Sequence, residues 1–163
     1  MAEASEQDDT RSPLELVKKF YTLQEERVEG YQFLESGFSA YLAGGPHYNF
    51  ELYRSLVNEI TQSFKCISEE IISIERCLRS VHQITGVADC IAKIQEAEKE
   101  KLDFTVQLQI DRQQATDNPE DECKRQQVSD LKEKLQQTTQ KINEQMESFK
   151  YESEDLYTDG EER

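Results

Sequence analysis

Between residues 53 and 81 large apolar side chains recur at Tyr53, Val57, Ile60, Phe64, Ile67, Ile71, Ile74, Leu78 and Val81, in steps that alternate four and three. Such spacing keeps one stripe of an α-helix turned toward a neighbour over about four heptads, and the β-branched residues in it favour close pairing. Asn49 is placed to cap this helix, because its side-chain oxygen reaches the first free backbone N–H groups.

A second stripe precedes it. Leu14, Val17, Phe20, Tyr21, Gln24, Val28, Tyr31, Leu34, Phe38, Tyr41 and Leu42 follow mostly steps of three and four. Ser12-Pro13-Leu14-Glu15 opens that helix as a capping box with proline at the first helical position. Ala43-Gly44-Gly45-Pro46 closes it, since two glycines free the backbone and proline cannot continue the hydrogen-bond ladder. Helices one and two are thus predicted to form an antiparallel hairpin over residues 13–84.

Past Gly86 a weaker pattern resumes at Val87, Ile91, Ile94, Ala97, Leu102, Val106 and Ile110. Thr116-Asp117-Asn118-Pro119-Glu120-Asp121 reads as a break that also starts a fourth helix, with Asn118 as its cap. That helix carries Val128, Leu131, Leu135, Thr138, Ile142, Gln145 or Met146, and Phe149 at heptad spacing, so residues 87–150 are predicted to form a second helical, coiled-coil-like region. Ten of the fourteen aromatic residues lie between Phe20 and Phe64, which places the better core in the first hairpin. Both ends are strongly polar. Residues 1–12 hold four acids and no aromatic residue, leucine, isoleucine or valine, and residues 151–163 hold six acids against one arginine, so disordered tails are expected at both.

Composition narrows the class. With 36% apolar and 33% charged residues and no tryptophan among 163, the chain suits slim helices with one apolar stripe each. The expected fold class is all-α: long antiparallel hairpins in a coiled-coil-like bundle of about four helices. A formal net charge of -15 disfavours direct contact with nucleic acid, whose affinity comes from Lys and Arg displacing condensed counterions. No run of 18 apolar residues and no basic start followed by an apolar stretch is present, which predicts a nuclear or cytoplasmic protein with no membrane contact. Cys66, Cys77, Cys90 and Cys123 show no Cys-x-x-Cys spacing and are expected to be reduced.

The residues that carry chemistry elsewhere are scattered here. Neither His47 nor His82 follows a Glu-x-x-His, and the one glycine cluster lacks the Lys-Ser/Thr of a phosphate loop. Glu25, Glu26, Glu29 and Glu35 fit a solvated helical face better than a paired-carboxylate site. The expectation is a non-enzyme with no cofactor and no metal. An enzyme using Cys66, Cys77 or Cys90 is the contrary reading, decided by metal analysis. Gly30, Gly37 and Gly44 recur every seven residues in helix one, where missing side chains offer another backbone a groove.

Phe20-Tyr21-Thr22-Leu23-Gln24-Glu25-Glu26-Arg27-Val28-Glu29-Gly30-Tyr31, followed by Phe33 to Phe38 and Tyr41-Leu42, resembles the opening of the required for excision 1-B domain family. Tyr53-Arg54 and Glu59-Ile60-Thr61 with Phe64 are similar to its second helix, so the resemblance covers roughly residues 14–82. It implies a nuclear protein associated with DNA excision repair and brings no catalytic residue with it. Set on the helix, the motif makes Leu23, Tyr31, Leu34, Phe38 and Tyr41 packing positions and Gln24, Glu25, Glu26 and Arg27 a polar ridge beside them.

The candidate partner-binding residues are therefore Gln24, Glu25, Arg27, Gly30, Gly37 and Gly44. The function expected is that of a helical adaptor near DNA repair, working through protein partners on its helical surfaces. The alternative is a coiled-coil subunit of a cytoplasmic trafficking or cytoskeletal complex, with the helix-two seam completed by another chain; homo-oligomers fit either.

Overall fold

A computed structural model describes residues 9–161 as four helices, α1 (Pro13–Ala43), α2 (Phe50–Ser80), α3 (Thr85–Asp117) and α4 (Glu122–Glu161). The order is all-α, with no strand among the described residues. The expected disorder of residues 1–8 and 162–163 lies outside them.

Local chemistry sets the helix ends. Glu15 N donates to Ser12 Oγ at 3.2 Å and Leu52 N donates to Asn49 Oδ1 at 3.2 Å, so both expected caps are made. The chain leaves α1 through Gly44 and Gly45, whose N–H groups bond Tyr41 O and Leu42 O at 3.2 Å. Two other boundaries move. Asn118 ends α3, with Nδ2 on Gln114 O, and the carboxylate of Asp121 accepts from Cys123 N and Lys124 N to start α4. An ionised side chain caps more strongly than an amide, and it faces the positive end of the helix dipole. Between α2 and α3 the reversal uses Gln83 at φ 58 rather than Gly86, which sits in the first turn of α3.

The two hairpins, α1 with α2 and α3 with α4, pack against each other, and one continuous apolar core draws on all four helices. From α1 come Leu16, Val17, Phe20 and Leu23; from α2, Phe64, Ile67, Ile71, Ile74 and Leu78; from α3, Val87, Ile91 and Ile94; from α4, Phe149. The Phe149 ring lies 4.6 Å from that of Phe20, tilted against it, and meets Tyr21 edge-on at 5.2 Å. The second hairpin supplies fully buried isoleucines and a phenylalanine, while most of the core residues come from the first, where the aromatic distribution places the better core. The α2 seam is buried from Ile60 to Leu78, while Val81 falls beyond the helix and is exposed.

Residues 151–161, expected as a disordered end, continue α4. Ser153 is 1% exposed and Leu156 and Tyr157 pack on the core. Glu152, Glu154 and Asp155 lie on the outer face, so their charge stays in water, while Ser153, Leu156 and Tyr157 face inward. At the other end Arg11 pairs with Asp9 at 2.7 Å, and its carbonyl lies 3.0 Å from His82 Nε2, which ties residues 9–11 to the α2–α3 turn.

Candidate functional site

The residues singled out on α1 divide sharply in the structure. Gln24 is 6% and Arg27 4% exposed, so neither belongs to a polar ridge; Glu25 and Glu26 stay outside. The inward position that apolar periodicity gives to Val28 is occupied by Arg27, and Val28 is 49% exposed. Each residue turns a helix by about 100°, so the true inward series Phe20, Gln24, Arg27, Tyr31, Leu34 passes one side of Val28.

Arg27 is accepted because it is surrounded. Its guanidinium donates to Gln24 Oε1 at 2.7 Å, Gln95 Oε1 at 2.6 Å and Ser68 Oγ at 3.2 Å, while Gln24 Nε2 donates to Glu98 Oε1 at 3.2 Å. Burial pulls the arginine pKa down and the Glu98 charge opposes it. Glu98 Oε2 is buried without a hydrogen-bond partner among the described residues. One turn further, Lys101 lies 4.2 Å from the Tyr31 ring centre, and burial pushes the Tyr31 phenol far up. This polar layer joins α1, α2 and α3 in the middle of the core. Sliding any one helix by a turn would leave buried charge unpaired, at a cost of several kcal/mol.

The glycines serve packing inside the chain. A Cβ on Gly30 would come within 2.6 Å of the Phe64 ring, and one on Gly37 would overlap Leu56. What approaches α1 closely is therefore α2 of the same hairpin. Gly44 has no such neighbour and forms the helix end.

An opening remains where the N-terminal half of α2 and the C-terminal half of α3 diverge over the end of α1. It is a groove of about 300 Å³ whose wall includes Leu34, Phe38, Tyr41, Tyr53, Val57 and Leu102. Tyr41 and Tyr53 stack at 4.6 Å, Phe38 lies 5.8 Å from Tyr53, and Arg112 covers the Phe38 ring at 4.8 Å while bonding Glu35 at 2.8 Å. At the mouth Phe50, Val106 and Ile110 are 58%, 47% and 46% exposed. Sequence reading places Val106 and Ile110 in the α3 seam, but the inward positions there are Leu108, Gln109 and Asp111.

Gln109 closes the inner end. It is 6% exposed, its Oε1 accepts from the Tyr53 hydroxyl, and its Nε2 is buried without an acceptor among the described residues. Burial pushes the Tyr53 phenol up to about 12. No motif flags this groove in the sequence. The available signal is negative: two apolar residues four apart, Val106 and Ile110, in a stretch whose phase drifts from the rest of α3.

Little else is arranged for chemistry. Cys66 and Cys123 are exposed and distant in sequence, while Cys77 and Cys90 are buried free thiols whose pKa burial raises, which keeps them protonated and unreactive. Among the described residues no group of three or more His, Cys, Asp or Glu is placed to hold a metal, and no helix is long and apolar enough to cross a membrane.

Comparison with known proteins extends the sequence resemblance beyond α2. The family described as DNA repair REX1-B matches residues 15–112, which takes in α1, α2 and most of α3, including both walls of the groove. A Bos taurus protein named "Required for excision 1-B domain-containing protein" is 31% identical over 140 residues, covering 86% of this chain and 76% of the bovine one. Its Mus musculus counterpart of the same name is 29% identical over 139 residues, covering 85% and 80%. No solved structure gives a significant match.

Proposed function

Because this chain belongs to the DNA repair REX1-B family, we propose that it acts in DNA excision repair as a non-enzymatic helical adaptor that holds a partner helix. The observation that carries this reading is the groove between α1, α2 and α3. A bundle that buries Ile71, Ile74, Ile91 and Ile94 completely still leaves Phe50, Val106 and Ile110 in the open around an apolar recess. Exposed apolar side chains gathered at one recess mark a place where another surface is to be buried.

The charge of -15 supports a role exercised through proteins, with the DNA phosphates met by others, and the family supports work in the nucleus. The cytoplasmic coiled-coil alternative requires an α2 seam free to pair with another chain. Ile60 to Leu78 are already buried against this chain's own helices, which favours the adaptor.

The test is survival after ultraviolet irradiation in cells lacking the protein, restored with the wild type or with Val106→Ser/Ile110→Ser. Both substituted residues are half exposed, so the fold is expected to persist. Sensitivity corrected by the wild type and not by the double variant supports the adaptor reading. Unchanged survival on loss of the protein overturns it.

A further inference from the structure

The groove differs from the rest of the molecule in charge as well as in polarity. The chain has 34 acids against 19 basic residues, yet among the described residues the groove lining contains no carboxylate and one cation, Arg54. Arg54 is exposed at the rim and makes no ion pair or hydrogen bond among the described residues.

A second copy of the chain is a poor fit. A two-fold contact sets the same lining against itself and offers Arg54 no carboxylate from either groove.

Resting on the adaptor reading, we propose that the groove binds an acidic amphipathic helix of another protein. Apolar side chains of that helix, spaced i, i+3 or i+4, and i+7, would seat between Phe50, Val106 and Ile110. A carboxylate of the helix pairs with Arg54. The volume of about 300 Å³ holds a few such side chains and stands at the lower end of ligand pockets, about 300–1,000 Å³.

The experiment is display selection of a random library of amphipathic helices on the full chain, counter-selected against Ile110→Ser, with Val106→Thr in its place if Ile110→Ser melts early. Selected peptides are expected to be net acidic. Their affinity should drop about tenfold in Arg54→Gln at low salt and by a smaller factor at high salt, as expected of a rim charge pair. Arg54→Lys should restore part of the loss. Net basic peptides, binding indifferent to Arg54→Gln, or no peptide that distinguishes the wild type from the groove variant would each overturn the proposal. So would self-association that Ile110→Ser abolishes, because the occupant is then a second copy. The two readings fail separately. Basic peptides together with loss of ultraviolet resistance in the groove variant remove the acidic helix and leave the adaptor; unchanged survival without the protein removes the adaptor whichever peptides are selected.

Discussion

Arg27 on α1 donates to Gln95 Oε1 on α3 at 2.6 Å, across a sequence separation of 68 residues. The guanidinium also serves Gln24 and Ser68, so one side chain holds three helices in a common register. A planar fork of five N–H donors can do this from one position; an ammonium on a flexible stem cannot serve three separated acceptors equally.

Arg27→Ala is therefore expected to lower stability by about 3 kcal/mol, because it strands the Glu98 charge and three polar groups in the core. Arg27→Lys should recover part of that. Urea unfolding followed by circular dichroism measures both. A loss under about 0.5 kcal/mol in Arg27→Ala, the range of ordinary surface changes, would show that the layer contributes nothing to stability.

The three glycines of α1 should respond differently to alanine. Gly30→Ala pushes a methyl into the buried ring of Phe64, itself 4.8 Å from Tyr31, and overpacking of that kind costs about 1–3 kcal/mol. Helix propensity returns up to about 1 kcal/mol. Gly37→Ala meets the end of Leu56, a half-buried side chain that can swing away, so it should lie closer to neutral. Gly44→Ala should change little. Thermal melts of the three variants give the order directly, and a Gly44→Ala loss larger than that of Gly30→Ala contradicts it.

Tyr53 makes stability depend on alkaline pH. Its phenol is raised from 10.0 to about 12, first by burial and then by the neighbouring Tyr41. The folded state holds the proton more tightly than the unfolded one. The contribution is therefore complete below pH 10 and is lost as pH rises through about 12. Tyr53→Phe should flatten the stability profile across that window relative to the wild type. An unchanged slope would mean that Tyr53 ionises as freely folded as unfolded.

Ending the chain after Lys150 should cost about 2 kcal/mol, from the partial burial of Leu156 and Tyr157. Denaturant midpoints of the shortened and full chains decide this. Equal midpoints would mean that the last turns of α4 add nothing to the core.

Much of the architecture is legible in residue order. The α2 seam, the Ser12 and Asn49 caps and the Gly44-Gly45 exit are local patterns, and each is realised where periodicity and backbone chemistry put it. The same reasoning misplaces Val28, because periodicity ranks residues by hydropathy and so assigns the inward position to valine beside an arginine. Only the presence of Gln95 and Ser68 from distant segments makes that position suitable for a charge. The end of α4 escapes sequence reasoning for a related reason: six acids dominate the composition of residues 151–163, while Ser153, Leu156 and Tyr157 face inward.

The groove stands at the far limit of what a sequence can say. Helix number, length and hairpin order follow from interactions within about seven residues, which any stretch of chain carries by itself. The groove depends on how far α2 and α3 diverge across the end of α1, a quantity set by all side chains packed between three helices at once. Tyr53 and Gln109, 56 residues apart, meet only there, and with them Arg54, Val106 and Ile110 become one surface. The sequence by itself determined an acidic helical bundle of a recognisable family; tertiary packing decided which polar residues it buries and which apolar ones it leaves for a partner.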